Sequence, residues 1–143
     1  MLADILPAVL DYLRNDVDVT ALVGTRVYGV EAPNEPPFDA NGNLLRFVVV
    51  SPAGTGLGWY QRSDVPISSD RYEVRCYGPS HYEALRVYRA VHPALRQMSR
   101  HTRNGVQLFN AQQTGGPMSL RDPDAHWPFV LAYYTIVASE VAV

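Results

Sequence analysis

Apolar residues recur at helical spacing from the first turn of the chain: Leu2, Ile5, Leu6, Val9, Leu10 and Leu13. A stripe of that period predicts an amphipathic helix ending near Asn15. Pro7 lies close enough to the start to be tolerated, because a first-turn N–H has no intrahelical acceptor; otherwise the helix proper begins there. Asp18 is placed to cap a short second helix through Ala21 and Leu22, with Gly24 as its left-handed stop.

A period of two then takes over. Arg26 to Val30 reads as a strand. Phe47 to Val50 is a wholly apolar run, suited to a strand covered on both faces, and Pro52 ends it. From Ser68 to Tyr77 the pattern alternates, with Tyr72, Val74 and Cys76 facing one way and Arg71, Glu73 and Arg75 the other. That is a half-buried strand with one wet face. Ser80 and Glu83 form a capping-box pattern ahead of a main helix whose stripe is Tyr82, Leu85, Tyr88, Val91, Leu95 and Met98. Pro93 falls inside it, and an interior proline predicts a kink or an early end. Val106 to Ala111 follows as a strand, and Gly115-Gly116-Pro117 is expected to break the chain. Phe129 to Val141 is the longest strand, with Phe129, Leu131, Tyr133 and Val137 on one face and Val130, Ala132, Tyr134 and Ile136 on the other. Both faces are apolar, so it is either central and helix-covered or engaged, itself or through its edge, in a subunit contact.

Two long loops interrupt this order. The stretch from Ala32 to Leu44 holds Pro33, Pro36, Pro37 and Asn41-Gly42. The stretch from Ala53 to Pro66 is glycine-rich, yet carries Trp59 and Tyr60 with Arg62 beside them. Long ordered loops in compact domains are often functional, and Trp, Tyr and Arg are the residues most enriched at interface hot spots. Trp59, Tyr60 and Arg62 are therefore candidate interface residues. The order of helix, short helix, three strands, helix and two strands has no crossover helix between successive strands. This predicts an α+β fold with a mostly antiparallel sheet flanked by the N-terminal helix and one main helix.

Composition narrows the functional classes. The 143 residues are the usual size of one domain, expected to cover residues 1–143. Charged residues are only 18%, which leaves uncharged surface for partners. The formal net charge is −2, and no segment concentrates arginine without acid nearby, which argues against a surface that grips duplex DNA. The single cysteine, Cys76, precludes an internal disulfide and fits a reducing compartment. No apolar run approaches the ~20 residues of a membrane span, and Asp4 and Asp11 with no basic leader argue against a signal peptide.

The patterns that carry chemistry fail one by one. Gly54, Gly56 and Gly58 follow a strand, but the spacing is not the dinucleotide fingerprint and no helix opens after it to hold a phosphate. Asp39, Asn41 and Asn43 resemble the start of a calcium loop, but Leu44 and Val50 stand where the glycine and the bidentate acid belong, leaving an Asx-type turn. His81, His92, His101 and His126 show no metal-site spacing with one another or with Cys76. Asp122, Asp124 and His126 share a proline-flanked stretch that reads as a surface turn. There is no G-x-S-x-G elbow, and Cys76 on the apolar face of a strand reads as a buried structural thiol. No catalytic residue, metal ligand or cofactor site is assigned.

Taken together, Ala21-Leu22-Val23-Gly24-Thr25-Arg26-Val27-Tyr28 after an amphipathic helix, a proline-bearing loop, an apolar strand, Tyr72-Glu73-Val74-Arg75-Cys76-Tyr77-Gly78 leading into a helix, and a long closing strand with alternating tyrosines form a pattern. It resembles the tail-terminator (tail-completion) proteins of long-tailed bacteriophages, which join tail to head. The resemblance spans nearly the whole chain. It is sharpest at Leu-Val-Gly-x-Arg-Val-Tyr and at the Cys-Tyr before the main helix. It implies a sheet flanked by helices and a hexameric ring that caps the tail tube, stops its growth and meets the head connector. DNA would pass through the ring without specific binding, and the protein would reside in the virion at the tail–head junction after assembly in the host cytoplasm. It also implies no enzyme activity and no cofactor. Another neck component, such as a head-completion or connector protein, is the alternative within that class; a small ligand-binding domain or enzyme is the alternative outside it.

Overall fold

A computed structural model describes residues 5–30, 38–53, 58–59, 67–103, 105–123 and 125–140, with only the backbone of Gly58, Trp59 and Glu140. In chain order these form α1 (Leu6–Arg14), α2 (Val17–Val23), β1 (Val27–Gly29), β2 (Phe47–Pro52), β3 (Gly58–Trp59), β4 (Ile67–Tyr77), α3 (His81–Arg96), β5 (His101–Arg103), β6 (Val106–Arg121) and β7 (Pro128–Glu140). The fold is α+β. The strands make one sheet in the order β1-β2-β4-β7-β6-β5, with β3 paired to β4. The described pairings are antiparallel except β1 with β2. That one parallel pair explains the long loop before β2. Two parallel neighbours need a connection of roughly a dozen residues or more, where a hairpin would need two.

Register sorts the side chains into two faces, because directly opposed residues share a face. Val48, Cys76 and Val130 line up across β2, β4 and β7; Val50, Val74 and Ala132 form the next such row. These face the three helices and join the main core with Val9 and Leu13 of α1, Val19 and Val23 of α2, and Val87, Val91 and Leu95 of α3. The opposite face carries Phe47, Tyr77, Phe129 and Leu120 in one row and Val49, Arg75, Leu131 and Met118 in the next. A second buried cluster of Leu44, Phe47, Val49, Tyr77, Phe129 and Leu131 occupies one end of that face, with Tyr28, Trp127 and Tyr133 packed against it. The wholly apolar run of β2 is thus buried on both sides by two different sets of neighbours.

Several sequence expectations are corrected in detail. Asp16, not Asp18, caps α2: its Oδ1 accepts from the N–H groups of Asp18 at 3.0 Å and Val19 at 3.1 Å. Asp18 falls in the first turn, where a carboxylate still favours the helix dipole. Ser80 caps α3 as expected, accepting from Glu83 N at 3.2 Å, but the Glu83 carboxylate turns to Arg46 at 2.9 Å instead of back to the cap. Tyr82 is 69% exposed and stands outside the buried stripe, whose members are Ala84, Val87, Tyr88, Val91, Ala94 and Leu95. Pro93 does not end α3, which runs to Arg96. It sits in the last turn, so only the bond to the Arg89 carbonyl is lost there.

The largest correction concerns β6, which continues through Gly115-Gly116-Pro117 to Arg121 instead of stopping near Ala111. Register shifts fall between Leu108 and Asn110, Gln113 and Gly115, and Gly115 and Met118. The glycines and proline are absorbed as bulges, which let a strand bend while its partner stays regular. Gly116 is required there: its φ is +78°, and a Cβ would come within 2.5 Å of the Leu131 carbonyl oxygen.

β7 is central, with β4 on one edge and β6 on the other along its length. Its edges are therefore occupied, which overturns the expectation that its edge meets another subunit.

Candidate assembly surface

Residues that could carry chemistry are tied into the fold. The Cys76 thiol is fully buried in the main core, and burial pushes its pKa far up, so it is a poor thiolate. His92 accepts or shares a hydrogen bond with the Tyr134 hydroxyl at 2.8 Å, and Tyr88 donates to Gln113 Oε1 at 3.1 Å. Gln113 in turn donates through Nε2 to the Gly116 carbonyl at 2.8 Å. This chain of polar groups fastens α3 to the bulged part of β6. Burial first, then the Tyr88 hydroxyl, push the Tyr134 phenol far up, while burial and the Arg96 charge lower His92. A phenol and an imidazole held neutral in this way suit a structural hydrogen bond. His101 lies 2.9 Å from the Asp11 carboxylate and joins β5 to α1. Among the described residues, no group of three or more His, Cys, Asp and Glu could hold a metal ion.

The turns behave as their sequences suggest. Asp39 Oδ1 accepts from Asn41 N and Asn43 N, both at 2.9 Å, which makes the Asx-type turn. In the turn after β6, Asp122 Oδ1 accepts from Ala125 N at 2.8 Å and the Asp122 carbonyl accepts from His126 N at 2.8 Å. Asp124 lies outside the described residues.

What the fold leaves open is surface suited to contact. On the sheet face opposite the helices, Met118 and Leu120 are 43% and 40% exposed, and they sit directly across from Leu131 and Phe129. Phe38, 49% exposed, meets the edge of Trp127 at 6.4 Å. Trp127 meets Phe47 and Tyr77 edge-on at 6.2 and 6.4 Å. Register and ring contacts thus make one apolar area, with the second core cluster as its floor. Arg75, 3.3 Å from Glu73 and donating to the Tyr77 hydroxyl at 3.1 Å, borders it. Arg71 lies over the Tyr133 ring at 4.2 Å. Beside this area β5 pairs only with Val106 to Leu108, so from Asn110 to Arg121 no described strand covers the outer edge of β6. Exposed apolar patches and open strand edges are the features by which chains recognise other chains.

The fold is similar to that of a chain described as "Virion of native gene transfer agent (GTA) particle". The two superpose with a TM-score of 0.63 over 93% of this chain and 92% of that chain, at 20% sequence identity. No protein-family model matches the sequence, and no curated protein does. The likeness is therefore one of fold, and it extends over nearly the full length of both chains.

The three interface residues read from the sequence are distributed unevenly. The backbone of Trp59 lies in β3, paired with Ser68 of β4. Tyr60 and Arg62 lie outside the described residues, as do Gly54 and Gly56. The structure instead brings forward Phe38, Met118, Leu120 and Trp127, which sequence reasoning passed over. A signal was there: Met118 and Leu120 alternate with Ser119 and Arg121 at a strand period. The Gly-Gly-Pro before them read as a chain break and hid it.

Proposed function

We propose that this chain is a structural protein of a phage-like virion, and within it a tail terminator. Copies assemble into a ring, a hexamer by the resemblance, that caps the tail tube, ends its growth and meets the head connector. The observation that carries the reading is the fold shared with a chain of a virion particle over nearly the whole of both chains. An apolar area beside an open strand edge suits a protein that works by meeting copies of itself and other virion proteins. Trp59, in β3 where the sequence had suggested loop, and Tyr60 and Arg62 beyond it in the chain are assigned to contact with a neighbouring subunit or the tube, on the ground that such residues dominate interfaces.

Mass photometry and negative-stain imaging of the purified chain, over a concentration series and with purified tail tubes added, test this. Six-fold rings with a central hole, free or seated on tube ends, are expected. Rings of another number would move the reading to a connector. A chain that stays monomeric and leaves tube ends bare would end it. In the same assay Trp59→Ala is expected to reduce ring or tube-end occupancy severalfold, and unchanged occupancy would remove this segment from the interface.

A further inference from the structure

The side of α3 turned away from the sheet is strongly basic. Arg86, Arg89 and Arg96 are exposed along it, and Arg100 is exposed just past its end. The acid of that helix, Glu83, is engaged by Arg46 at 2.9 Å and approached by Arg86 at 3.8 Å. Among the described residues, no carboxylate lies within ion-pairing distance of Arg89, Arg96 or Arg100. A chain of net charge −2 thus carries a concentrated positive stripe, contrary to the expectation from its linear sequence that no segment does.

Next to that stripe, α2 and α3 enclose an open groove of about 360 Å³. Ala21 and Leu22 of α2 with Ala90 and Pro93 of α3 give it an apolar floor, Arg86 and Arg89 form one wall, and Asp18 stands in its lining from α2. The alanines leave room for close approach. Pro93 has no N–H for the Arg89 carbonyl, so that carbonyl lacks its usual intrahelical donor.

We propose that the α2–α3 groove docks an acidic amphipathic segment of a partner protein. Its apolar side sits on Ala21, Leu22, Ala90 and Pro93, and its carboxylates pair with the guanidinium groups of Arg86 and Arg89. Charge complementarity selects this occupant. Arginine presents a planar fork that matches a carboxylate, and an amphipathic helix laid into an apolar groove is a recurrent mode of recognition. A nucleic acid backbone fits less well, because phosphate and sugar have no apolar side to fill the floor. The inference does not depend on the ring reading, since this groove lies on the helix side of the sheet, away from Met118 and Leu120.

The test is fluorescence anisotropy of the full chain with a labelled helical peptide bearing leucines at helical spacing and glutamates flanking them. A labelled DNA duplex serves as competitor probe. Saturable peptide binding that weakens with salt is expected. The double variant Arg86→Glu/Arg89→Glu should weaken it at least about tenfold, as loss of two charge-assisted pairs implies. Ala90→Gln, which fills the floor and leaves every charge in place, should weaken it as well. Both changes are at exposed or half-exposed positions, and circular dichroism checks that the variants fold. Unchanged peptide binding by Ala90→Gln would reduce the site to surface charge attraction and overturn the groove. Duplex binding tighter than peptide binding, or no peptide binding at low salt, would also overturn it.

Discussion

Replacing Gly78 by alanine is expected to destabilise the protein by about 3 kcal/mol, the upper part of the range for overpacking a close contact. Gly78 follows β4 and lies directly beneath the first turn of α3. A Cβ placed there would come 2.7 Å from the Ala84 nitrogen and 2.9 Å from the Glu83 carbonyl carbon. Both are backbone atoms, so no rotamer change can relieve the clash. The Ala84 N–H is already committed to the Ser80 carbonyl at 2.9 Å, within the capped first turn. The start of α3 would have to lift from the sheet, and with it Ala84 and Val87, both fully buried. For a domain of this size the loss corresponds to a fall in Tm of about 10 °C. Thermal unfolding followed by circular dichroism measures it. A wild-type Tm for Gly78→Ala would show that the sheet and α3 do not approach each other as closely as these distances require.

That position also shows what the sequence could convey. The run from Tyr72 to Gly78 stands out on sight because it combines a period-two strand, a glycine and a capping serine within a few residues. Each is a local rule, and the structure obeys all three. The helices were legible for the same reason: α1 ends at Arg14 with Asn15 as its cap, and Gly24 follows α2 at φ +60°, as their stripes and stop residues implied. The parallel pairing of β1 with β2 was not legible, because nothing within Val27–Gly29 distinguishes a parallel from an antiparallel neighbour. The second half of β6 was lost through a conflict between local rules. Gly115, Gly116 and Pro117 are breakers in isolation, but pairing with β7 on both sides of them turns the irregularity into bulges. The candidate surface suffered accordingly, since Met118 and Leu120 belong to that half. The basic stripe and its groove were hidden for a different reason. Arg86, Arg89 and Arg96 are interleaved with apolar residues in the sequence, and the helix period gathers them on one side, with Arg100 following just past the helix end. That Arg46 draws the Glu83 carboxylate away could be seen only once the residue before β2 was placed beside the first turn of α3.

Phe47→Ala is expected to cost about 4 kcal/mol, within the ~3–5 kcal/mol range for emptying a buried phenylalanine site, and to lower Tm by about 14 °C. Phe47 is fully buried in the second cluster and stacks on Tyr77 with ring centres 4.4 Å apart and planes 6° from parallel. Trp127 and Tyr28 meet it edge-on at 6.2 and 5.9 Å. Aromatic pairs of this kind contribute beyond the area they bury, so the loss exceeds that of an aliphatic truncation at the same depth. The cluster is not an independent unit. Phe47 and Val49 alternate along β2 with Val48 and Val50, which belong to the main core, so loosening one face disturbs the strand that carries the other. Denaturant unfolding in a Trp59→Phe background, with Trp127 as the sole tryptophan, should therefore show one transition, shifted to lower denaturant and coincident with circular dichroism. Early exposure of Trp127 followed by a separate global transition at the wild-type midpoint would show that the cluster melts on its own. The result bears on assembly as well as stability. Leu120 and Met118 rest across from Phe129 and Leu131, and Phe38 leans on Trp127, so the surface proposed for contact has this cluster as its floor. A Phe47→Ala protein that folds at low temperature should assemble less well than its remaining stability implies, because the floor that holds those side chains in place has been hollowed.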